Sequence, residues 1–433
     1  MIASECGVWP VSGETRLGVL QEAPLSNASP LDHFKRFPCE NARHGYKSLS
    51  LRRPARYLTI ATMPEGTADI IVIGGGLVGA AAAYGLAGAG LDVLMLDEGD
   101  DAFRAARGNF GLVWVQTKGF GLQRYQEWSQ ESADLYRGFA AELKDVTGID
   151  IHHERPGGAI LCLGDAEWEA QKRLNDAMAV QGGSYYHARM VERAELERMA
   201  PAVRFGQEVV GASFSEKDGH CGPLYLLRAL HAGFRARGGR YRSGARVRTI
   251  ERSFRVTTNA GVFEAPKLLL AAGNGIPPLA EQVGLHVPTV PERGQVLVTE
   301  RVERFLPMPM GNLRQTAEGT VMIGATQESV GLDTGTTLEA ARGLARRAIR
   351  ACPALERLRL VRSWAALRVI PPDRCPIYDE SKSHPGAFVA TMHSGVTLAA
   401  VHAARLPDWI AEGREPEDFG AFSARRFDVS AAV

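Results

Sequence analysis

Neither an excess of charge nor a cysteine pattern marks this chain of 433 residues. Its 50 Lys and Arg against 49 Asp and Glu give a formal charge of +1, so no field on the scale of the whole protein draws it to nucleic acid or an anionic membrane. Any partner must be recognised locally. The six cysteines, Cys6, Cys39, Cys162, Cys221, Cys352 and Cys375, form no CxxC pair and no Cys/His cluster. That argues against a disulfide framework, a zinc site or an iron-sulfur cluster, and the expectation is buried thiols in a reducing cytoplasm with no metal. One uncharged run, Ile70 to Leu91, is long enough to span a bilayer, but it is mostly Gly and Ala with three consecutive glycines. A strand, a turn and a helix explain that spacing better, so no transmembrane segment is expected.

What is present is an ordinary globular composition. With 45% apolar residues the chain can bury a large core, and its length suggests two domains. Residues 1–62 hold many Pro, Ser and Arg, show no sustained period and lack the apolar segment of a secretory signal; they read as a disordered leader or as a start codon placed too early. From Ala68 the order "DIIVIGGG", "LVGAAAAYGLAGAG", "LDVLMLD" is one βαβ unit of a parallel sheet. "APKLLLAAGNG" and "GAFVATMHSGVTLAAVHAARLPDWIAEG" supply further buried strands and a helix. Between them, "GGAILCLG", "GQVLVTERV", "MPMGNLRQT" and "GTVMIGAT" are short alternating strands suited to an antiparallel sheet. The expected fold is α/β: a Rossmann-like nucleotide-binding domain from 63–155, 213–285 and 350–415, a discontinuous α+β substrate domain from 156–212 and 286–349, and a tail at 416–433.

In "IVIGGGLVGAAAA" the spacing GxGxxG falls on Gly74, Gly76 and Gly79, between a strand and a helix. Gly74 permits the tight turn, Gly76 lets the backbone approach a pyrophosphate, and Gly79 lets helix and strand pack closely. The second strand ends in Asp97, placed to accept from ribose hydroxyls, followed by Glu98. An acidic end disfavours NADP, whose 2′-phosphate it would repel, but leaves NAD and the adenosine half of FAD both open. "RAARGNFGLVW", directly after it, is a Gly-Asn stretch able to bring backbone amides to a pyrophosphate and a flavin ring; an ordinary surface loop is the other reading.

Taken in order, "IVIGGGLVGAAAAYGLAGAGLDVLMLDEG", "RAARGNFG", "LLLAAGNG", "ERGQVLVTE", "LRQTAEGTVMIGAT" and "MHSGVTLAA" resemble the flavin-dependent D-amino acid oxidase and glycine oxidase superfamily, from residue 68 to about 413. Within it, "AARGNFGLVWVQTKGFG" is similar to the B subunits of opine oxidases and to the subunits of D-hydroxyproline dehydrogenases. The resemblance implies non-covalent FAD, with Gly74, Gly76, Leu77, Val78, Gly79, Asp97 and Glu98 at the ADP part and Arg107, Gly108 and Asn109 running toward the flavin. Val247 matches a position whose backbone meets the adenine, and Gly273 closes the strand "LLLAAGNG". Ala271-Ala272-Gly273 stands where the family has an ATG triplet, and "PPDRCPIYD" departs from its proline-aspartate-glycine stretch.

Oxidising an amine at a flavin needs a neutral amine, its Cα hydrogen pointed at the ring, and a group that holds the developing negative charge. A helix N-terminus supplies the last through free amides and its dipole. "HSGVTLAAVHAARL" fits, with His393, Ser394 and Gly395 at the turn and Val396, Thr397 and Leu398 opening the helix; an N-capping serine beside a solvated histidine is the bland alternative. An amino-acid carboxylate also needs a cation, preferably the planar fork of Arg. Arg314 and Arg368 match family positions. Lys118 and Arg293, each beside a glycine, are expected to be solvated, and His220 to belong to a turn before a helix. The expected activity is oxidation of a CH–NH bond in an opine of the octopine or nopaline class, with a partner subunit that takes the electrons. The rivals are a D-hydroxyproline or D-amino acid dehydrogenase, a flavin-binding relay or assembly subunit, and an NAD-dependent dehydrogenase.

Overall fold

Uninterrupted apolar strands need cover on both faces, and the four residues Ile70–Ile73 are all buried. The computed structural model describes residues 66–99 and 105–428; the expected leader, Arg104 and the last residues of the tail lie outside them. Ile70–Ile73 sits inside a six-stranded sheet ordered Ile377–Glu380, Ala387–Thr391, Leu268–Leu270, Ile70–Ile73, Val93–Asp97 and Arg240–Ser243. All neighbours are parallel except the first pair. The helices Leu77–Gly88, Pro223–Ala236 and Ala399–Glu412 pack together beside it. Small residues make that close approach possible: a Cβ on Gly85 would lie 2.1 Å from the Ala403 carbonyl oxygen. The apolar run of residues 70–91 is thus divided between strand, turn and helix, and among the described residues no helix is long and apolar enough to cross a membrane.

A second, antiparallel sheet orders Leu313–Gln315, Thr320–Gly324, Val290–Arg301 and Leu360–Ile370. The three-stranded sheet of Gly158–Leu163, Val209–Ser215 and Ala188–Glu192 shares an apolar core with it, through Leu161, Val209, Leu297, Leu313, Val321 and Ala348. The short alternating strands expected from sequence are all here. One boundary is corrected: Leu360–Ile370 pairs with Val290–Arg301 along its length, so it belongs to the antiparallel sheet, not to the nucleotide-binding segment drawn from residue 350. Cross-strand hydrogen bonding to a partner 61 to 80 residues away decides that membership, and no local period reveals it.

Candidate active site

At the end of Ile70–Ile73 the chain turns through Gly74, whose φ of 112° and close approach to the Ala271 carbonyl leave no room for a side chain. Gly79 packs back on this turn, where a Cβ would come within 1.9 Å of the Gly74 oxygen. Gly76 differs, since nothing lies within 4 Å of the place its Cβ would occupy. That open space above a helix N-terminus leaves room for a phosphate. Asp97, buried at the end of its strand, accepts from the amides of Gly75 at 2.6 Å and Gly99 at 2.8 Å. Beside it, Glu98 pairs with Arg246 at 2.9 Å. Gly74, Gly76, Leu77, Val78, Asp97 and Glu98 line one side of a cleft of about 430 Å³; Asn109, Val247, Gly273, His393 and Gly395 are among the residues that line the rest.

Ala105, Asn109 and His393 also line a second cavity of about 300 Å³, so the two spaces meet there. The connecting loop is tightly built: the Asn109 side chain accepts from the Gly111 amide at 2.8 Å, and a Cβ on Gly108 would lie 2.1 Å from that of Ala366. Gly108 lines the cavity, whereas Arg107 is exposed and lines neither space.

The turn 394–398 forms the cavity's far wall. Its helix begins at Ala399, three residues beyond the expected start, because the turn is fastened from behind. The Thr397 carbonyl accepts from Ser132 at 2.6 Å and the Val396 carbonyl from Tyr136 at 2.6 Å. Thr397 Oγ1 accepts from the Trp114 amide at 3.1 Å and donates to the Leu112 carbonyl at 3.3 Å. No described residue accepts from the amides of Gly395, Val396 or Thr397. Carbonyls tied down and amides left over make a set of donors for an acceptor edge, and together with the Gly76 cradle and the joined cavities they fit a flavin dinucleotide. Leu398 is buried behind the turn and does not line the cavity. Ser132, Tyr136 and Tyr125 were not legible as site residues; their helical spacing on Gln123–Thr147 is also that of a core face.

Among the candidate charges, Arg368 lines the cavity. Its Nη1 donates to the Thr326 carbonyl at 2.8 Å, to Glu292 at 3.2 Å and to the Arg293 carbonyl at 3.4 Å. Nε and Nη2 bond to no described residue, leaving two donors of the fork for a ligand. Arg314 is buried but does not line the cavity. It donates to the Cys221 carbonyl at 2.9 Å, lies 3.4 Å from His220 Nδ1, and contacts the Met322 sulfur at 3.1 Å. The two arginines are not brought together. Lys118 and Arg293 correct the expectation of solvated charges: Lys118 is half-buried in the cavity wall and donates to Ser394 Oγ at 2.7 Å, and Arg293 is buried against Glu328 at 2.7 Å and Asp333. Tyr125 also donates to Ser394 Oγ, at 2.7 Å. His220 is not in a turn but in a short strand paired with Leu112–Val113. Burial, reinforced by Lys118, Arg368 and Arg374, holds His393 well below the usual imidazole range, so it is neutral near pH 7.

Residues 69–409 match the family described as FAD dependent oxidoreductase, DAO. The chain is 39% identical over 368 residues to the B subunit of opine oxidase from Rhizobium meliloti, covering 84% of this chain and 99% of that protein. It is 27% identical over 414 residues to hydrogen cyanide synthase subunit HcnC of Pseudomonas aeruginosa, covering 85% and 98%. The structure of glycine oxidase from Bacillus cereus superposes with a TM-score of 0.75 at 22% identity, covering 83% of this chain and 99% of the other. With a family match running from the first strand of the parallel sheet into its last helix, the chain belongs to the DAO family of FAD-dependent oxidoreductases, and FAD is its expected cofactor.

Proposed function

We propose that this protein is the flavin-bearing subunit of a multisubunit enzyme that oxidises the secondary amine of an opine, an N-carboxyalkyl amino acid of the octopine or nopaline class. The observation that carries this reading is the flavin-side cavity. Arg368 presents unpaired donors there, and among the described residues no Asp or Glu lines it. A carboxylate is welcome in such a space. The 39% identity to the B subunit of opine oxidase, over nearly all of that protein, supports the substrate class and the multisubunit role. The unpaired, buried Cys162, Cys221, Cys352 and Cys375 support a cytoplasmic place.

FAD, held without a covalent bond, supplies the two-electron acceptor for the hydride. The chain's own work is positional. Arg368 holds a carboxylate, and through it the Cα hydrogen faces the joined part of the cavities. The amides of Gly395, Val396 and Thr397 would hold the flavin's acceptor edge and stabilise negative charge there. His393, neutral, offers a hydrogen bond without adding a further charge to the cavity. The substrate loses a hydride from carbon and a proton from nitrogen, giving an imine; water adds to the imine carbon and the C–N bond breaks, releasing the parent amino acid and an oxo acid.

Anaerobic mixing of the purified holoprotein with octopine, nopaline and D-hydroxyproline tests the proposal. Bleaching of the flavin band by an opine, with an oxo acid formed in equal amount, is expected. Bleaching by D-hydroxyproline alone would overturn it. Failure of all three to bleach the flavin would favour a relay or assembly role.

A further inference from the structure

Among the described residues that line the flavin-side cavity, Lys118 is the other cation, and the function above gives it no task. It comes from a different wall. Arg368 stands on the strand Leu360–Ile370, whereas Lys118 follows the strand Leu112–Val113 in a segment that a buried acid holds in place. Asp218 accepts from the amides of Val115 at 2.5 Å and Gln116 at 3.2 Å, and from the Gln116 side chain at 2.5 Å. Gln116 is tied in turn to the Gly158 carbonyl at 3.1 Å and to Ser213 at 2.9 Å. At its tip, the Lys118 ammonium donates to Ser394 Oγ at 2.7 Å. A flexible side chain restrained at root and tip has less freedom left to lose when a ligand arrives. The space it borders contains Arg368 and, among the described residues, no lining carboxylate.

We propose that Lys118 forms a second carboxylate subsite, so that the cavity takes a dicarboxylate whose two acid groups flank the reacting amine, one on Arg368 and one on Lys118. This rests on the opine reading and deepens it: N-carboxyalkyl amino acids have that pattern, and amino or imino acids with a single carboxylate do not. Lys118 is a specificity-determining residue for the second acid group, with the Asp218 clamp positioning the segment that carries it.

The test uses the holoprotein and two ligands with an ether oxygen in place of the amine, diglycolate with two carboxylates and methoxyacetate with one. Neither can be oxidised at nitrogen, and the flavin absorption band reports binding without turnover. Diglycolate is expected to bind the unmodified protein more tightly. Lys118→Met should weaken diglycolate by about 10- to 100-fold while changing methoxyacetate by less than about 3-fold, and Lys118→Arg should keep most of the discrimination. Equal weakening of both ligands overturns the subsite. So does unchanged diglycolate binding with a lowered flavin midpoint potential, which would put the charge of Lys118 on the cofactor. If Lys118→Met fails to hold flavin, the preference of the unmodified protein and of Lys118→Arg decides, and a ratio near one overturns the proposal. A diglycolate preference that persists when octopine leaves the flavin oxidised would sink the opine reading and leave the subsite standing.

Discussion

The dinucleotide cleft and the flavin-side cavity meet at Ala105, Asn109 and His393, yet they are built by opposite means. The phosphate end of the cleft is backbone. Gly74, Gly76 and Gly79 shape it by having no side chains, and Asp97 is held by amides from its own βαβ unit. The cavity is made of side chains from separated segments: Lys118 after one strand, Arg368 from the antiparallel sheet, and a turn fastened by hydroxyls of a third element. A backbone cradle is hard to alter without losing the cofactor. A side-chain cavity can change its substrate while the cofactor stays, which is how one fold comes to serve several amines.

The largest effect should come from breaking the cradle. In Gly79→Val the added Cβ would meet the Gly74 oxygen at 1.9 Å, so strand and helix must separate; the variant is expected to purify without flavin, read from the ratio of flavin to protein absorbance. Next, Arg368→Met should retain flavin and lose about 100-fold in kcat/KM for an opine, the scale of truncating one member of a desolvated charge pair. Arg374 still faces Glu292 in that variant, which keeps the acid partnered. If Arg368→Met also emptied the protein of flavin, the separation between cleft and cavity would fail.

The same contrast explains which parts of the molecule are legible in the sequence. Gly74 to Asp97 lie in one local unit, and strand, turn and helix follow from their spacing alone. Arg368 is placed by its cross-strand register opposite Glu292, and Arg314 by its register opposite Met322, whose sulfur it touches. Arg368 and Glu292 are far apart in the chain, and Arg314 reaches the Cys221 carbonyl from a distant element, so matching a family position located both arginines but could not say that only Arg368 lines the cavity. Lys118 and Arg293 were expected in solvent because a neighbouring glycine says nothing about tertiary approach. The first turn of the last helix was expected at Val396; Ser132 and Tyr136 hold that stretch as a turn, and nothing near Val396 in sequence announces them.

Acid should weaken the wall behind the cavity before it reaches the glycine cradle. Burial first, and then Arg314 for His220 and Arg155 for His153, push both imidazoles down to about 4. Their unfolded counterparts take up protons near pH 6.5, so below that pH the unfolded state binds more protons. Stability is therefore lost as pH falls from about 6.5 toward about 4, by a few kcal/mol in order of magnitude. Asp218 acts with the opposite sign: burial pushes its carboxyl up to about 7, so its contribution declines as pH rises from about 4 toward 7. His220→Gln should flatten the acid limb of a plot of Tm against pH, since His220 sits in the strand paired with Leu112 and carries one of the downward histidine shifts. An unchanged limb would remove that wall from the acid response.

The smallest effect isolates the fastening of the turn. Ser132→Ala removes the donor to the Thr397 carbonyl and the acceptor for the Val401 amide at 3.2 Å, loosening the stretch whose free amides would meet the flavin. One neutral hydrogen bond is worth about 1 kcal/mol, so FAD should bind several-fold more weakly, measured by the release of flavin on dilution. Ser129 provides the control. It is equally buried on the same helix, and its hydroxyl has no partner among the described residues. Ser129→Ala should leave flavin affinity unchanged. Equal losses in the two variants would mean that helix packing, not the bond to Thr397, sets the turn, and the cavity would then depend on its core as closely as the cleft depends on its glycines.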